Sequence, residues 1–372
     1  MSADHERNTN AGDAADPLRV RLVGPAGHDR GGIAQYIAAQ RTHLGDTVDF
    51  DVYDVAVASG SGLRWFLRVV LAAVFDALRF PLATDADVDV AHVHTSHRRS
   101  FYRASGYVLY CTLVRGTPVV VHVHGSSFDD FLADAGPLLR RYQALVFDAA
   151  ARVVVLSEGW ADVVGARADP GRIVVLPNAV DAAAYDPDAG ATPPRLAFVS
   201  GHTERKGIDE FLDAVETLLA DDAVPEFRVD IAGDGPRADR THGVADRHNA
   251  VTYHGYVSES RKRALLTDAS VYVLPTRAEN LPIAVLEAMA GANAVVSTPV
   301  GAIPSVVTDA NGVRVPAGDA DALADALATL IDAPERTRGL GAASRRYVED
   351  TYDWDVVGPR LHDLYREVAA LE

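Results

Sequence analysis

The chain of 372 residues predicts a parallel α/β protein built as two halves around a cleft. Three observations carry this. Short aliphatic runs alternate with longer amphipathic stretches along nearly the whole chain, as strands and helices do in parallel sheets. The alternation breaks once, at 181–194 (DAAAYDPDAGATPP), which is rich in Pro, Ala and Asp and holds no aliphatic run. The length is too great for one ordinary domain, and with 48% hydrophobic residues each half can bury a core.

In the first half, Leu18–Val23 (LRVRLV) reads as a strand running into Gly24-Pro25-Ala26-Gly27 and on to Gly31-Gly32. Ile33–Leu44 is helix-like and Val48–Val52 a second strand. Gly62–Phe80 reads as an apolar helix carrying Arg64, Arg68 and Arg79. Val88–Val93, Pro118–Val123, Arg152–Leu156 and Arg172–Leu176 are further strands. The second half opens with strand Arg195–Val199 and helix Asp209–Leu219, then strands Phe227–Ala232 and Val251–Tyr253. Helix Ser258–Asp268, strand Ser270–Leu274, helix Ile283–Ala290, strand Ala294–Ser297 and helix Asp321–Ile331 follow. Trp354–Leu371 has apolar residues at helical spacing and closes the chain. Open parallel sheets bind ligands at the carboxyl ends of their strands, so both halves should face a shared cleft.

Composition narrows the setting. Residues 1–16 are polar and mixed in charge, without the basic start and apolar core of a signal peptide, and read as a disordered tail. No apolar run is long enough to span a bilayer. A single cysteine, Cys111, excludes an internal disulfide and a cysteine metal site, and the expected location is the cytoplasm. The net charge of −17 repels phosphates and argues against a nucleic-acid partner. Lysine occurs only at Lys206 and Lys262, and every other one of the 35 basic residues is arginine. That balance predicts a salt-adapted source, since concentrated salt screens the self-repulsion. The cations and aromatics of 62–80 (Trp65, Phe66, Phe75, Phe80) suit peripheral contact with the inner face of a membrane, or equally a helix covering the sheet.

Four segments carry chemistry. In Glu279–Glu287 (ENLPIAVLE) a strand runs into a loop holding Glu279 and Asn280. Leu281 and Pro282 follow, and a helix begins at Ile283. Pro282 fits a first helical turn, whose free amides can hold a diphosphate. Glu279 then lies near an attached sugar, and Glu287, one to two turns in, near ribose hydroxyls. An ordinary capped helix leaves Glu287 unexplained in its apolar surroundings. Ser200–Gly207 (SGHTERKG) offers Arg205 and Lys206 at a strand-to-helix turn suited to phosphate. Gly31-Gly32-Ile33 permits close backbone approach to a ligand and fits an ordinary flexible turn equally well. It matches neither the dinucleotide fingerprint nor a P-loop. In Val121–Phe128 (VHVHGSSF), alternation puts His122 and His124 on one face, with His124 at the strand's carboxyl end, within reach of the cleft. His92 and His94 repeat the spacing one strand earlier. Without a carboxylate or thiolate partner such pairs are weak metal ligands, so no metal is expected, and His92 and His122 read as structural.

In this order the motifs resemble glycosyltransferase family 4, of the GT-B fold. The resemblance covers Arg19 to about Leu371, through GGI (31–33), HVHGSSF (122–128), VVLSEGW (154–160) and LPNAVD (176–181). It continues through KGIDEFLDAV (206–215), IAGDGP (231–236), the Glu279/Glu287 pair and VPAGD (315–319). It implies an N-terminal Rossmann-like acceptor domain (17–180), a linker (181–194), a C-terminal Rossmann-like nucleotide-sugar domain (195–350) and a closing helix (351–372). It implies retaining transfer of a sugar from a nucleoside-diphosphate donor to a glycan, lipid-linked or other glycoconjugate acceptor, as in members that build surface polysaccharides. No cofactor or metal is implied. The matching roles are Glu279, His124 and Lys206 at the chemistry, Gly31, Gly32 and the Asn280–Ile283 amides at the donor phosphates, and Glu287 on ribose. The family's usual Gly-Arg is Ser200-Gly201 here, with Arg205 the candidate substitute, and Ser305 stands where a Glu is common. Those departures keep two alternatives open: a sugar-nucleotide epimerase of similar fold, and a non-catalytic sugar-nucleotide or glycan-binding relative.

Overall fold

The computed structural model describes residues 17–27, 31–55, 79–80, 88–187 and 192–371, and among them two six-stranded parallel sheets. The first contains β1 (Leu18–Gly24), β2 (Val48–Asp54), β3 (Val90–Thr95), β4 (Val119–Val123), β5 (Arg152–Val155) and β6 (Ile173–Val175), ordered β2-β1-β3-β4-β5-β6. The second contains β7 (Arg195–Val199), β8 (Arg228–Ala232), β9 (Val251–Tyr253), β10 (Val271–Leu274), β11 (Ala294–Ser297) and β12 (Gly312–Arg314), ordered β12-β11-β10-β7-β8-β9. The chain is therefore two Rossmann-like α/β domains. Central strands β3, β4, β10 and β11 are buried along their whole length, because helices cover both faces, so they read as largely apolar runs into which β3 and β4 place buried histidines. Edge strand β2 (VDFDVYD) instead alternates buried and exposed positions.

Each sheet reverses its winding once. In the first, β2 lies on one side of β1 and β3 on the other; in the second, β8 and β10 flank β7. Crevices open at the carboxyl ends of strands at such switch points. The Gly31-Gly32 loop leaves β1, the Arg205-Lys206 turn leaves β7, and the Glu279 loop leaves β10. The topology thus gathers three of the four segments at the two switch points, and His124 follows the next strand over, β4.

The last helix, Trp354–Ala369, returns to the first half. Its Trp354, Val357, Leu361, Leu364, Tyr365 and Val368 pack with Val20, Leu22, Tyr36 and Ile37. The crossing is pinned where Val180 and Asp353 bridge and Val180 and Trp354 exchange backbone hydrogen bonds with the opposite segment.

Several expectations need correction. The segment 181–194 is not a plain connector: Ala182–Ala184 forms a 3-10 turn, and Ala182 and Tyr185 are buried. Compact alanines and one aromatic can enter a core without an aliphatic run. Helices Arg99–Tyr110, Phe128–Ala133, Pro137–Ala149, Glu158–Gly165, Ala238–Arg247 and Pro334–Thr351, and strand β12, add to the elements expected. The expected strand Val88–Val93 lies two residues later, at Val90–Thr95, so its two histidines are strand residues. The helix expected over 62–80 lies outside the described residues except for Arg79 and Phe80. Phe80 does not face a membrane: it is buried, with its ring against Tyr53, Tyr107 and Tyr110.

Candidate active site

The β7 turn presents two cations to the β10 loop. Thr203 caps the 3-10 turn Glu204–Lys206 by accepting from the Lys206 amide. Gly207 follows at φ 73, and a Cβ there would lie 2.0 Å from the Pro275 carbonyl oxygen. Only glycine allows the turn to press against β10's exit. Lys206 Nζ then donates to Glu279 Oε1, Arg205 Nη1 approaches the same oxygen at 3.4 Å, and Thr276 Oγ1 lies 3.2 Å from it. Arg205 also donates to the Ala278 carbonyl at 2.7 Å. Burial pulls the Lys206 pKa below the ordinary lysine value, while Glu279 pulls it back up. Glu279 is 8% exposed, so two cations converge on one nearly dry carboxylate.

The Glu279 loop is held by a second close approach. Gly301 has φ 56, and a Cβ there would meet the Glu279 carbonyl oxygen at 2.0 Å. The helix Ile283–Ala290 then starts behind Pro282 with no side chain capping its first amides, leaving a positively polarised end.

The first half closes over this end. Asn280 Nδ2 lies 3.4 Å from the carbonyls of Val123 and Gly125, the two neighbours of His124. Asn178 Nδ2 donates to the Leu281 carbonyl at 2.6 Å. A Cβ on Gly32 would lie 4.0 Å from Ile283 Cδ1, whereas one on Gly31 would meet nothing within 4 Å. The structure therefore gathers Gly32, Arg205, Lys206, Glu279, Asn280, Leu281, Pro282 and Ile283, with the backbone around His124, at one junction of the two halves.

Glu287 sits one layer away. It is 8% exposed, accepts from Lys262 Nζ at 2.7 Å and from the Tyr185 hydroxyl, and lies inside the helix as expected. Burial lowers the proton affinity of Lys262, but Glu287 and Glu259 more than restore it, and its pKa ends above the ordinary lysine value.

The histidine pairs form one ladder, buried at His92, His94 and His122 and half-buried at His124. His94 and His122 are register partners on β3 and β4. His94 Nδ1 lies 3.0 Å from His124 Nε2, and His92 Nε2 lies 3.2 Å from His122 Nδ1. Gln40 donates to the Tyr365 hydroxyl, which is hydrogen-bonded to His92 Nδ1 at 2.5 Å. A neutral His92 can accept from the Tyr365 hydroxyl at Nδ1 and donate from Nε2 to His122 Nδ1. Burial lowers the pKa of His92 and His124 to about 3 and that of His94 and His122 well below the ordinary value. One nitrogen each of His92, His94 and His122 lies within 4.8 Å of the others, which satisfies the spacing for a metal. Among the described residues no carboxylate or thiolate joins that group to offset a dication in so dry a place.

Lys262, Tyr185, Thr276, Asn178 and Tyr365 escaped the sequence reading. Lys262 left a trace as one of two lysines and Asn178 as part of the LPNAVD motif, neither with a role assigned. Of the departures, Ser305 turns its hydroxyl to the Ala302 carbonyl at 2.7 Å, and Arg205 occupies a place beside Glu279 that Ser200-Gly201 cannot fill.

Among known proteins, residues 11–179 match the family described as Glycosyl transferase 4-like domain, and residues 193–333 that described as Glycosyl transferases group 1. A Xanthomonas oryzae GDP-mannose:cellobiosyl-diphosphopolyprenol alpha-mannosyltransferase is 31% identical, over 83% of this chain and 80% of that protein. A Corynebacterium glutamicum GDP-mannose-dependent monoacylated alpha-(1-6)-phosphatidylinositol monomannoside mannosyltransferase is 30% identical over 51% of this chain, a match spanning only 55% of its length. The fold resembles that of Anabaena HepE in complex with UDP-glucose, with a TM-score of 0.72 at 14% identity, covering 94% of this chain and 100% of that one. With both halves matched in order and a relative at this identity covered over four-fifths of its length, the chain belongs to the GT-B glycosyltransferases and is an enzyme of the hexosyltransferase type.

Proposed function

We propose that the protein moves a hexosyl group from a nucleoside-diphosphate sugar to a glycan or lipid-linked acceptor, with retention at the anomeric carbon and without a metal or cofactor. The observation carrying this reading is the convergence of Lys206 and Arg205 on Glu279 in front of the uncapped start of helix Ile283–Ala290. Those groups suit a leaving diphosphate. The bond from the anomeric carbon to the phosphate oxygen breaks on the face where the acceptor oxygen bonds. The diphosphate, held by Lys206, Arg205 and the amides at Asn280, Leu281, Pro282 and Ile283 (proline supplying none), takes the acceptor's proton. Glu279 meets the sugar hydroxyls, Glu287 the ribose, and Gly31 and Gly32 let the first half approach the donor. His124, neutral and braced by His94, lines the sugar side. The two mannosyltransferase relatives, whose names specify GDP-mannose, make that donor the first to test, with UDP sugars beside it.

The acidic, lysine-poor surface supports a salt-adapted source and a cytoplasmic location. Among the described residues no helix is long and apolar enough to cross a membrane.

Transfer assays with labelled GDP-mannose and UDP-hexoses test the reading, using Lys206→Ala and Glu279→Gln. Each should lower turnover by about a hundredfold or more, with the fold retained. Near-normal turnover in either variant, or interconversion of free donor without acceptor, would overturn it.

A further inference from the structure

Lysine is nearly absent from this chain, yet Lys262 is kept and buried. It is 8% exposed, on helix Glu259–Asp268, and lies 2.7 Å from Glu287 Oε1 and 2.7 Å from Glu259 Oε2. An exposed lysine serves solvation. One held between two carboxylates in a nearly dry site supplies a compact charge on a long apolar stem, which the planar fork of arginine does not reproduce.

The contacts reach further in both directions. Inward, the Tyr185 hydroxyl, from the segment joining the halves, lies close enough to Glu287 for the two to influence each other's protonation. Outward, Glu259 accepts from Gln35 Nε2 at 3.2 Å, and Gln35 belongs to helix Gly32–Leu44, at the cleft edge of the first half. A continuous path thus runs from Glu287 through Lys262 and Glu259 to the helix that begins at Gly32. A carboxylate has four acceptor positions on two oxygens, so the bond from Lys262 to Oε1 orients it and leaves acceptor capacity free.

We infer that Lys262 is a positioning residue that holds the Glu287 carboxylate in the orientation that reads the ribose hydroxyls of the donor, and so sets the enzyme's preference for ribonucleotides over 2'-deoxyribonucleotides. The inference rests on the nucleoside-diphosphate reading given above. Lys262 touches neither sugar nor phosphate; it acts through Glu287. The path to Gln35 ties that orientation to the approach of the first half.

The test is calorimetric binding of GDP, UDP and their 2'-deoxy counterparts to the full chain and to Lys262→Met. The wild type should prefer the ribonucleotide by about tenfold to a hundredfold, the worth of a hydrogen bond to a charged partner. In Lys262→Met the preference should collapse toward unity while deoxynucleotide affinity holds within about threefold. Donor KM should rise at nearly constant kcat, as for an interaction made equally in ground and transition states. A Lys262→Met protein that keeps its preference, or loses affinity for both nucleotides in parallel, overturns the positioning role. Where Lys262→Met does not fold, Lys262→Arg carries the test: it keeps the charge but changes its shape, so the preference should fall and Tm should stay, and an unchanged preference refutes the inference. If the wild type binds neither GDP nor UDP, the donor reading itself fails. If it binds them without preference, the donor reading survives and this inference does not.

Discussion

Lowering the pH should unfold this protein far sooner than its carboxylates alone would require, because of the histidine ladder. His92 and His124 titrate near pH 3 in the folded chain, against about 6.5 when unfolded. Their folded pKa values are depressed, so between these limits the unfolded state binds more protons and stability rises with pH. The stability is fully present above about pH 6.5 and is lost as pH falls toward about 3. From pH 7 to pH 5 each group should lose about 2 kcal/mol, and the two together about 4 kcal/mol. His94 and His122 act in the same direction. Tyr36, Gln40 and Tyr365 contact the ladder and none supplies a negative charge near neutrality, while Arg103 lines a small cavity with His94. A loss of about 4 kcal/mol is a large share of a stability of about 5–15 kcal/mol. Urea midpoints at pH 7, 6 and 5, at fixed KCl, measure it. His92→Gln should flatten the pH dependence by about 2 kcal/mol over that interval. Equal pH dependence in variant and wild type, or a wild type equally stable at pH 7 and 5, would refute the reasoning.

Other outcomes follow from the site and the surface. Gly301→Ala should disorder the Glu279 loop, since its Cβ would sit 2.0 Å from the Glu279 oxygen. GDP or UDP binding should weaken at least about tenfold, about 1.4 kcal/mol, with far-UV circular dichroism unchanged, and native affinity would contradict the loop's rigidity. Asn178→Ala leaves the Leu281 carbonyl without its partner from the first half, which should cost about 1–3 kcal/mol. Its urea midpoint should fall, and an unchanged midpoint would mean the contact contributes nothing. Moving the wild type from ~1 M to ~0.1 M KCl lengthens the Debye length from about 3 to 10 Å, and a chain of net charge −17 should then lose stability. A constant midpoint across that range would remove the case for salt adaptation.

The fold was legible where burial is simplest. Strands such as β10 (VYVL) and β11 (AVVS) are covered on both sides, so nothing but aliphatic character is required of them. The helix Ala238–Arg247 escapes a sequence reading because its composition is polar and only Thr241 and Val244 enter the core, whereas Arg99–Tyr110 lacks the regular aliphatic spacing that marks a helix and buries aromatic, small and aliphatic residues instead. Of the site, the loop residues could be read because glycine, proline and cations sit beside the strands that position them. The ladder could be half read. Alternation puts each histidine pair on one face, but pairing His94 with His122 requires β3 and β4 as neighbours, and closing the ladder needs Tyr365 from the last helix. The Glu287 partners were out of reach for the same reason: Lys262 and Tyr185 come from separate elements, and only the folded chain brings them to one carboxylate.

The geometry around Glu279 also separates binding from chemistry. Lys206 and Arg205 both engage its carboxylate, although the same cations are needed by a diphosphate. On the proposed donor reading, Glu279 is an internal counter-anion that an incoming diphosphate must share or displace. Displacement would turn the carboxylate toward the sugar, coupling donor arrival to the placement of the group that meets it. Glu279→Gln removes the competitor and leaves the cations. GDP or UDP alone should then bind several-fold more tightly, up to about tenfold or 1.4 kcal/mol, while transfer falls sharply. Since Glu279 supports the charge on Lys206, the variant's gain should also fade at lower pH than wild-type binding does as pH is raised, because the lysine loses its proton more easily without that partner. A carboxylate that merely completes the fold predicts the reverse, with diphosphate affinity falling together with Tm. Calorimetry of Glu279→Gln with GDP and UDP at pH 7 and pH 9 distinguishes the two, and weaker binding at pH 7 with a lowered Tm would end the counter-anion argument.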